Sequence, residues 1–186
     1  DNSYTEARTE FADAFNDVNG YIEDNSFNLT LPYPGGSYQN PWYVTYNGRT
    51  DYAISKTLAD ILTNMNDRRL TKFAGTGSSF PFGLERNDAV AFTASVGGGY
   101  AQVLNPTFRT ESSSLVIVNA ATALLAIAEG IQRTWITPPG ETADQKYRAA
   151  IQQSYQQWGL SIQNANQQIA NAATDRKSTR LNSSHA

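Results

Sequence analysis

Residues 114–159, which decide the fold, read SLVIVNAATALLAIAEGIQRTWITPPGETADQKYRAAIQQSYQQWG. The first part, about 114–134, is apolar on nearly all sides, as expected of a helix packed against several neighbours. Residues 138–140 (Pro-Pro-Gly) then force a break, and Thr142 with Gln145 three residues later has the capping-box pattern of a helix start. We therefore predict an antiparallel helical hairpin, the unit from which helical-repeat folds are built.

The second helix of this hairpin has one mainly apolar face and a stop signal at Gly159. The face is formed by Tyr147, Ala150, Ile151, Ser154, Tyr155 and Trp158. Residues 161–173, which are rich in Gln, Ala and Asn, predict a further, weaker helix. The apolar run in the first helix contains Glu129, which would be costly in lipid, so we interpret the run as a buried core helix and Glu129 as a buried structural carboxylate.

Two more helices are predicted upstream, separated by long loops. Residues 4–18 form one amphipathic helix, with Ser3 and Glu6 as its capping box, Gly20 as its stop, and an apolar face of Ala7, Phe11, Ala14, Phe15 and Val18. Residues 54–66 form the other, with a face of Ile54, Leu58, Ile61, Leu62 and Met65. Turn-forming residues predict a long loop over 22–50, and a second loop region with short strands over 70–112. The expected fold class is mostly α.

The composition excludes several classes of function. The chain has a formal net charge of −3, which argues against nucleic-acid binding because phosphate contacts need a basic surface. It has no cysteine, and its one histidine, His185, lies near the end of the chain. The carboxylates Glu85, Asp88, Glu111 and Glu129 fill no recognisable set of catalytic roles. We therefore predict a protein that is not an enzyme, with no cofactor and no metal site.

The run 175–185 (DRKSTRLNSSH) is similar to one translated reading frame of a common sequencing adapter. The alternative is a genuine basic, polar tail, frayed as chain termini usually are. We expect residues 175–186 to be foreign to the protein and exclude them from reasoning about the fold. On this interpretation His185 is not available for chemistry.

Five blocks of sequence carry a family resemblance: YQNPWY (38–43), DYAISKTL (51–58), NDRRL (66–70), AEGIQRTW (128–135) and a last block from Tyr147 to Gly159. Together they resemble the SusD/RagB family of outer-membrane nutrient-binding lipoproteins. Their order and spacing agree with the family. Two departures exist: residues 119–122 read NAAT where the family usually has Thr-Tyr-Ala-Glu, and Thr134 replaces a glycine. Any role of that missing carboxylate is therefore not carried over.

The resemblance implies a tetratricopeptide-like helical-repeat fold in which long loops build the ligand site. It also implies a cell-surface protein of the outer membrane, held by an N-terminal lipid anchor, that works with a SusC-like TonB-dependent transporter. Residues 1–174 would be the C-terminal portion of a longer SusD-like domain, and the anchor would lie outside this fragment. The implied ligand is an oligosaccharide or a peptide.

Aromatic residues with polar neighbours are the candidate ligand-binding residues, because a sugar ring offers an apolar face and a fringe of hydroxyls. The first group comprises Trp42, Tyr43 and Tyr46 with Asn40, Asn47 and Asp51; the second comprises Phe80, Phe82, Tyr100 and Arg109. A purely structural role for the first group fits the sequence equally well. Two other functions stay open: a helical-repeat scaffold for protein interactions and a secreted glycan hydrolase.

Overall fold

The computed structural model describes residues 2–97 and 99–171, and the chain is mainly helical. The helices are α1 (Asn2–Phe15), α2 (Pro41–Tyr46), α3 (Lys56–Asn64), α4 (Leu70–Phe73), α5 (Arg86–Ser95), α6 (Ala120–Gln132), α7 (Ala143–Gln157) and α8 (162–171). Strands β1 (Leu29–Leu31) and β2 (Leu115–Val118) pair in a two-stranded sheet. The mostly α fold class is confirmed. The predicted adapter run lies outside the described residues.

The described chain divides into two compact units. The helical unit contains the residues up to Thr30 together with Val116–Ile169, and the loop unit contains Leu31–Leu115 and residues 170–171. Among the described helices, none combines the length and the apolar character needed to cross a membrane.

The predicted hairpin forms the centre of the helical unit, and its second helix begins as expected. The Thr142 hydroxyl accepts from the N–H of Gln145 at 3.2 Å, and the Gln145 side chain accepts from the N–H of Thr142 at 2.8 Å. Helix α6 packs against α7. Gly159 follows α7 with a φ of +67°, the left-handed conformation that favours glycine at a helix end.

The first helix of the hairpin is shorter than predicted, because residues 115–118 form β2. Three of these four residues are Val or Ile, whose branched side chains fit a strand better than a helix. Helix α6 starts only after Asn119, whose side chain accepts from the N–H of Thr122 at 2.8 Å. Glu129 is also not buried: its side chain is 63% exposed and pairs with Arg133 at 2.7 Å.

Small apolar residues fill the core of the helical unit and let the helices approach closely. The buried apolar positions are Ala120, Ala121, Leu124, Ile127 and Ala128 on α6, Ile136 after it, Ala150 and Tyr155 on α7, and Ala165 and Ile169 on α8. Gly130 continues this pattern, since a Cβ at that position would lie 2.4 Å from the Phe11 ring of α1. The helix predicted over 161–173 is confirmed within the described residues.

Helix α1 differs from its prediction at both ends. It begins at Asn2, so that Ser3 lies within the helix instead of preceding it, and it ends at Phe15. Val18 therefore lies beyond the helix and is 96% exposed, not part of an apolar face. Phe11 does face the core, with its ring 5.8 Å from that of Trp135 in an edge-on arrangement.

In the loop unit, α3 begins after Ser55, and its buried face differs from the predicted one. Ala59 and Leu62 are the buried residues of the helix, whereas Leu58, Ile61 and Met65 are exposed. Ile54 is buried but precedes the helix. It belongs to a small apolar cluster completed by Ala74, Ala101, Leu70 and Phe73.

Both regions predicted as loops contain short helices. Helix α2 follows Asn40-Pro41, an N-cap residue followed by a proline at the first helical position, which is a recognisable helix start. Helix α5 spans a segment without glycine or proline. The short strands expected over 70–112 are single backbone bridges, which join Ser55 to Phe80, Ala74 to Val103 and Ser78 to Tyr100.

Candidate functional site

Asn40 anchors the first predicted group to the loop unit. Its side-chain oxygen accepts from the backbone N–H groups of Trp42 at 2.8 Å and Tyr43 at 3.4 Å, which caps α2. Its side-chain nitrogen donates to the Ser113 carbonyl at 2.7 Å, and its backbone N–H donates to the Glu111 carbonyl at 2.9 Å. With 1% exposure and these bonds, Asn40 positions the helix and has little surface to offer a ligand.

Tyr46 and Arg109, predicted in separate groups, contact each other. The guanidinium carbon of Arg109 lies 4.2 Å from the centre of the Tyr46 ring. Tyr46 is buried, and its hydroxyl accepts from the N–H of Val103 at 2.8 Å. Arg109 in turn donates from Nε to the Leu104 carbonyl at 3.0 Å and from Nη2 to the side chain of Gln102. These contacts fix both side chains.

The other members of the first group lie closer to solvent. Trp42 and Tyr43 are half-buried on α2, and Asn47 is exposed at its C-terminal end. Asp51 is exposed and pairs with Arg49, whose Nε lies 3.0 Å from a carboxylate oxygen. The guanidinium beside Asp51 lowers the pKa of its carboxyl.

The second predicted group is brought together in part. The Phe80 ring packs edge-on against that of Tyr100, with centres 5.5 Å apart, and against that of Phe92 at 5.4 Å. The Tyr100 hydroxyl bonds to that of Thr93, which joins the group to α5. Phe82 does not join this cluster of rings and is 76% exposed.

Tyr100 and Arg109 line one surface depression of about 490 Å³ in the loop unit. The remaining lining residues are Gly75, Thr76, Gln102, Asn105 and Pro106. Asn105 is held by its own bonds: it accepts from the N–H of Thr107 at 3.1 Å and donates to the Thr71 carbonyl at 3.2 Å. One aromatic residue therefore shares a concave surface with amide, hydroxyl and guanidinium groups.

Gly77 allows two backbone segments to approach each other closely beside this depression. It has a φ of +122°, and a Cβ there would lie 2.7 Å from the carbonyl carbon of Tyr100. Such an approach is open only to glycine. On either side of Gly77, Gly75 donates to the Gln102 carbonyl at 2.8 Å, and Ala101 donates to the Ser78 carbonyl at 2.9 Å. The wall of the depression is thus a pair of backbone segments locked in register.

The carboxylates considered for catalysis have structural surroundings or stand on the surface. Glu111 accepts from the Gln39 side chain at 2.9 Å and from the N–H of Gly36 at 2.7 Å, and these bonds lower the pKa of its carboxyl. Glu85 and Asp88 are exposed at the start of α5. Within the described ranges, no group of three or more Asp, Glu or His side chains could hold a metal ion.

Thr76, Gln102 and Asn105 were absent from the predicted site. Asn105 had a local signal, because Asn105-Pro106 repeats the Asn-Pro helix start seen at Asn40-Pro41, here opening a short 3₁₀ turn over Pro106–Phe108. Thr76 and Gln102 reach the depression only through backbone pairing of 74–78 with 99–103. Such pairing leaves no periodic signal in an irregular segment.

The chain is thus a mainly helical protein whose loop unit presents a polar depression with one aromatic residue in its lining. The family model described as SusD-like, "Starch-binding associating with outer membrane", matches residues 1–184. The chain therefore belongs to the SusD-like family, and the predicted resemblance is confirmed. A search of the curated proteins finds no match.

Solved structures of SusD homologues share this fold. One from Bacteroides vulgatus is 27% identical with a TM-score of 0.67, and the match covers 84% of this chain and 32% of that one. A chitin-binding homologue from Flavobacterium johnsoniae is 23% identical with a TM-score of 0.72, covering 88% and 33%. One from Bacteroides thetaiotaomicron is 20% identical with a TM-score of 0.69, covering 89% and 33%. The chain thus spans about a third of the length of these relatives.

Proposed function

We propose that the chain is part of a cell-surface lipoprotein that captures nutrient glycans and passes them to a SusC-like TonB-dependent transporter in the outer membrane. Membership of the SusD-like family, with its starch-binding description, supports glycan as the ligand class. The chitin-binding homologue provides a relative of the same fold with a saccharide ligand. Binding without turnover is the proposed activity, because the carboxylates near the loops are held by structural hydrogen bonds or stand alone on the surface.

The observation that carries this proposal is the depression that combines Tyr100 with Thr76, Gln102, Asn105 and Arg109. An aromatic ring suits the apolar face of a pyranose, and the surrounding amides and hydroxyl suit its equatorial hydroxyl groups. Tyr46 contacts Arg109 and helps to position its guanidinium. Trp42 lies four residues before Tyr46, so the two side chains lie on the same side of α2. We therefore retain Trp42 and its neighbour Tyr43 as candidate ligand contacts.

Glycan binding by the chain is tested by isothermal titration with malto-oligosaccharides, chito-oligosaccharides and oligogalacturonides. Binding to at least one series, with the oligosaccharide recovered at unchanged length, is the expected result. Cleavage of the oligosaccharide would favour the hydrolase alternative. No binding to any series would contradict glycan capture and favour the protein-interaction scaffold.

The transporter and the lipid anchor are tested at the source locus. We expect a signal peptide with a lipid-attachment cysteine upstream and a TonB-dependent transporter gene alongside. We also expect codons different from those of 175–185 to follow Thr174. A reading frame that opens at Asp1 with no transporter gene nearby would contradict the surface-lipoprotein proposal.

Trp42→Ala is expected to weaken glycan binding more than it weakens folding. Trp42 is half-buried, so its truncation removes part of its packing and all of the ring surface that it offers a sugar. Loss of one aromatic stacking surface corresponds to about a tenfold loss of affinity, or roughly 1–2 kcal/mol of binding free energy. Titration and urea unfolding of the same preparation measure the two effects. Tyr38→Ala is the control, because Tyr38 is an exposed aromatic outside both groups. Unchanged affinity in a folded Trp42→Ala protein would remove Trp42 from the site.

A further inference from the structure

We infer that the depression of the loop unit binds an anionic saccharide, whose carboxylate or sulfate group pairs with Arg109. This inference rests on the proposed glycan-binding function and names the class of glycan. The first observation is the environment of Arg109: it is half-buried, and its bonds go to the Leu104 carbonyl and the Gln102 side chain, both of which are neutral.

Two other half-buried cations have carboxylate partners, whereas Lys72, like Arg109, has none among the described residues. Arg69 pairs with Asp67 at 2.6 Å, and Lys146 pairs with Glu141 at 2.6 Å. Arg109 forms no ion pair with any described residue, although it is also half-buried. Removing a cation from water is unfavourable unless an anion compensates its charge. Because no described residue supplies such an anion, we expect a ligand anion to bind at Arg109.

Among the described residues that line the depression, Arg109 is the charged one and none is a carboxylate. Lys72 is joined through its backbone to the lining residue Asn105, whose N–H donates to the Lys72 carbonyl at 2.9 Å, and the Lys72 ammonium lies 5.8 Å from the centre of the Phe108 ring. Lys72 likewise has no ion-pair partner among the described residues. The chain as a whole is acidic, so the charge of Arg109 in the lining is opposite in sign to the net charge of the chain.

The guanidinium also has the geometry to receive an anion. Of its N–H groups, Nε and one on Nη2 are engaged, so those on Nη1 stay available. The planar fork matches the oxygens of a carboxylate or a sulfate. Stacking on Tyr46 at 4.2 Å holds the plane in place before a ligand arrives, which reduces the conformational entropy lost on binding.

The neighbouring groups favour a saccharide over an acidic peptide. Thr76, Gln102 and Asn105 offer hydroxyl and amide groups at the same surface, and Tyr100 adds one ring. These groups match a sugar that carries hydroxyls beside its acid. An acidic peptide would instead need either a strand edge with unpaired backbone groups or further cations for successive carboxylates.

The test changes the ligand and leaves the protein intact. Titrations of the full chain with an oligogalacturonide and with its carboxyl-reduced, neutral counterpart measure the contribution of the acid. We expect the neutral form to bind about tenfold more weakly or worse, as for loss of one charge-assisted hydrogen-bonded pair. A sulfated oligosaccharide and its desulfated form give the same comparison for sulfate, and poly-glutamate tests the peptide class.

Protein variants identify the residue. Arg109→Gln is expected to lower affinity for the preferred acidic oligosaccharide about tenfold and to remove most of the difference in affinity between the acidic and neutral forms, since it removes the charge and keeps hydrogen-bonding capacity. The matched control is Arg86→Gln, which removes an exposed cation of the same unit outside the depression. Circular dichroism checks that both variants fold. If Arg109→Gln does not fold, the comparison of acidic with neutral ligands still tests the inference, because it uses the unchanged protein.

The outcomes separate this inference from the proposed function. Equal binding of acidic and neutral oligosaccharides in both pairs would overturn the anionic-saccharide inference and leave glycan capture standing. Tighter binding of poly-glutamate than of any glycan would overturn the saccharide class. Absence of binding to every glycan would overturn both. An equal loss of affinity in Arg86→Gln and Arg109→Gln would assign the effect to general surface charge instead of Arg109.

Discussion

In the helical unit most buried side chains are apolar residues on α6, α7 and α8, whereas the loop unit buries Asn40 and Asp67 beside a small apolar cluster. The helical unit is held mainly by packing between helices whose own hydrogen bonds are internal, with a few added polar contacts such as those of Asn25 with Gln153 and of Asn28 with Ala120. In the loop unit, side chains such as Asn40 and Tyr46 bond to backbone groups far along the chain. One unit therefore derives its stability mainly from buried area, and the other depends on individual polar contacts.

This difference bears on where the candidate site lies. A depression lined by polar groups needs backbone and side chains that are fixed without a large apolar core around them. Arg109, Gln102 and the pairing of 74–78 with 99–103 provide such fixation in the loop unit. Loops held by specific hydrogen bonds also tolerate changes of sequence between those bonds, which is how one scaffold can host different ligands.

Leu124→Ala is expected to have the largest effect on stability. Leu124 is 3% exposed on α6, so the substitution leaves a cavity in the helical unit and lowers the free energy of unfolding by about 2–5 kcal/mol. Urea denaturation monitored by circular dichroism measures the change. Leu125→Ala is the matched control, since the adjacent leucine is 45% exposed and its truncation should cost less than about 1 kcal/mol. Similar losses in both variants would contradict the packing account of this unit.

Asn40→Ala is expected to have the next largest effect, confined to the loop unit. It removes the cap of α2 and leaves the carbonyl of the half-buried Ser113 without its donor, so we expect a loss of about 2–4 kcal/mol. Amide hydrogen exchange of Trp42 and Tyr43 locates the loss.

Asn119→Ala provides the comparison within the helical unit. Asn119 also caps its helix, through one bond to the N–H of Thr122, but it is not fully buried. We expect a loss of about 1 kcal/mol. If Asn119→Ala were as costly as Asn40→Ala, the polar contacts of the loop unit would have no special weight.

The sequence predicted the helical unit better than the loop unit, for a physical reason. Thr142, Gln145 and Gly159 act through bonds that span three or four residues, so their pattern is readable in a short window. The error over 115–118 arose because an apolar run has no period that separates a buried strand from a buried helix. The exposed Val18 shows the same limit, since helical spacing alone does not say where a helix ends.

The candidate site could be predicted only in part. Tyr100 and Arg109 were identified from residue type, and both line the depression. Their grouping with Phe82 was not supported, and the contact between Arg109 and Tyr46 was missed, because residues 63 positions apart in sequence meet through tertiary structure alone. The ligand roles of Asn40, Trp42, Tyr43 and Asp51 stay predictions, although Asn40 has its hydrogen-bonding groups directed into the protein.

The smallest expected effect concerns the turn around Gly36 in the loop unit, which Glu111 holds. Bonds from the Gln39 side chain and from the N–H of Gly36 lower the pKa of the Glu111 carboxyl. A group whose pKa is lower in the folded state stabilises it above the ordinary pKa, and this contribution is lost as the pH falls through the folded value. Acidification should therefore loosen the turn below the usual range of a glutamate, while neutral and alkaline pH should leave it intact.

Nuclear magnetic resonance of the Gly36 amide during an acid titration measures this effect. The chemical shift should move with a midpoint below that of a free glutamate. Glu111→Gln should abolish the transition, whereas Glu85→Gln should leave it unchanged, because Glu85 is exposed at the start of α5 without a capping bond.

In the helical unit, Lys146 gives the opposite dependence of stability on pH. Its burial would lower the pKa, but bonds to Glu141 and Tyr21 outweigh burial and raise it. That contribution is lost as the pH rises through the folded pKa of Lys146, at the opposite end of the pH range from the Glu111 effect. A Gly36 turn that persisted through the acid titration would show that Glu111 does not hold it.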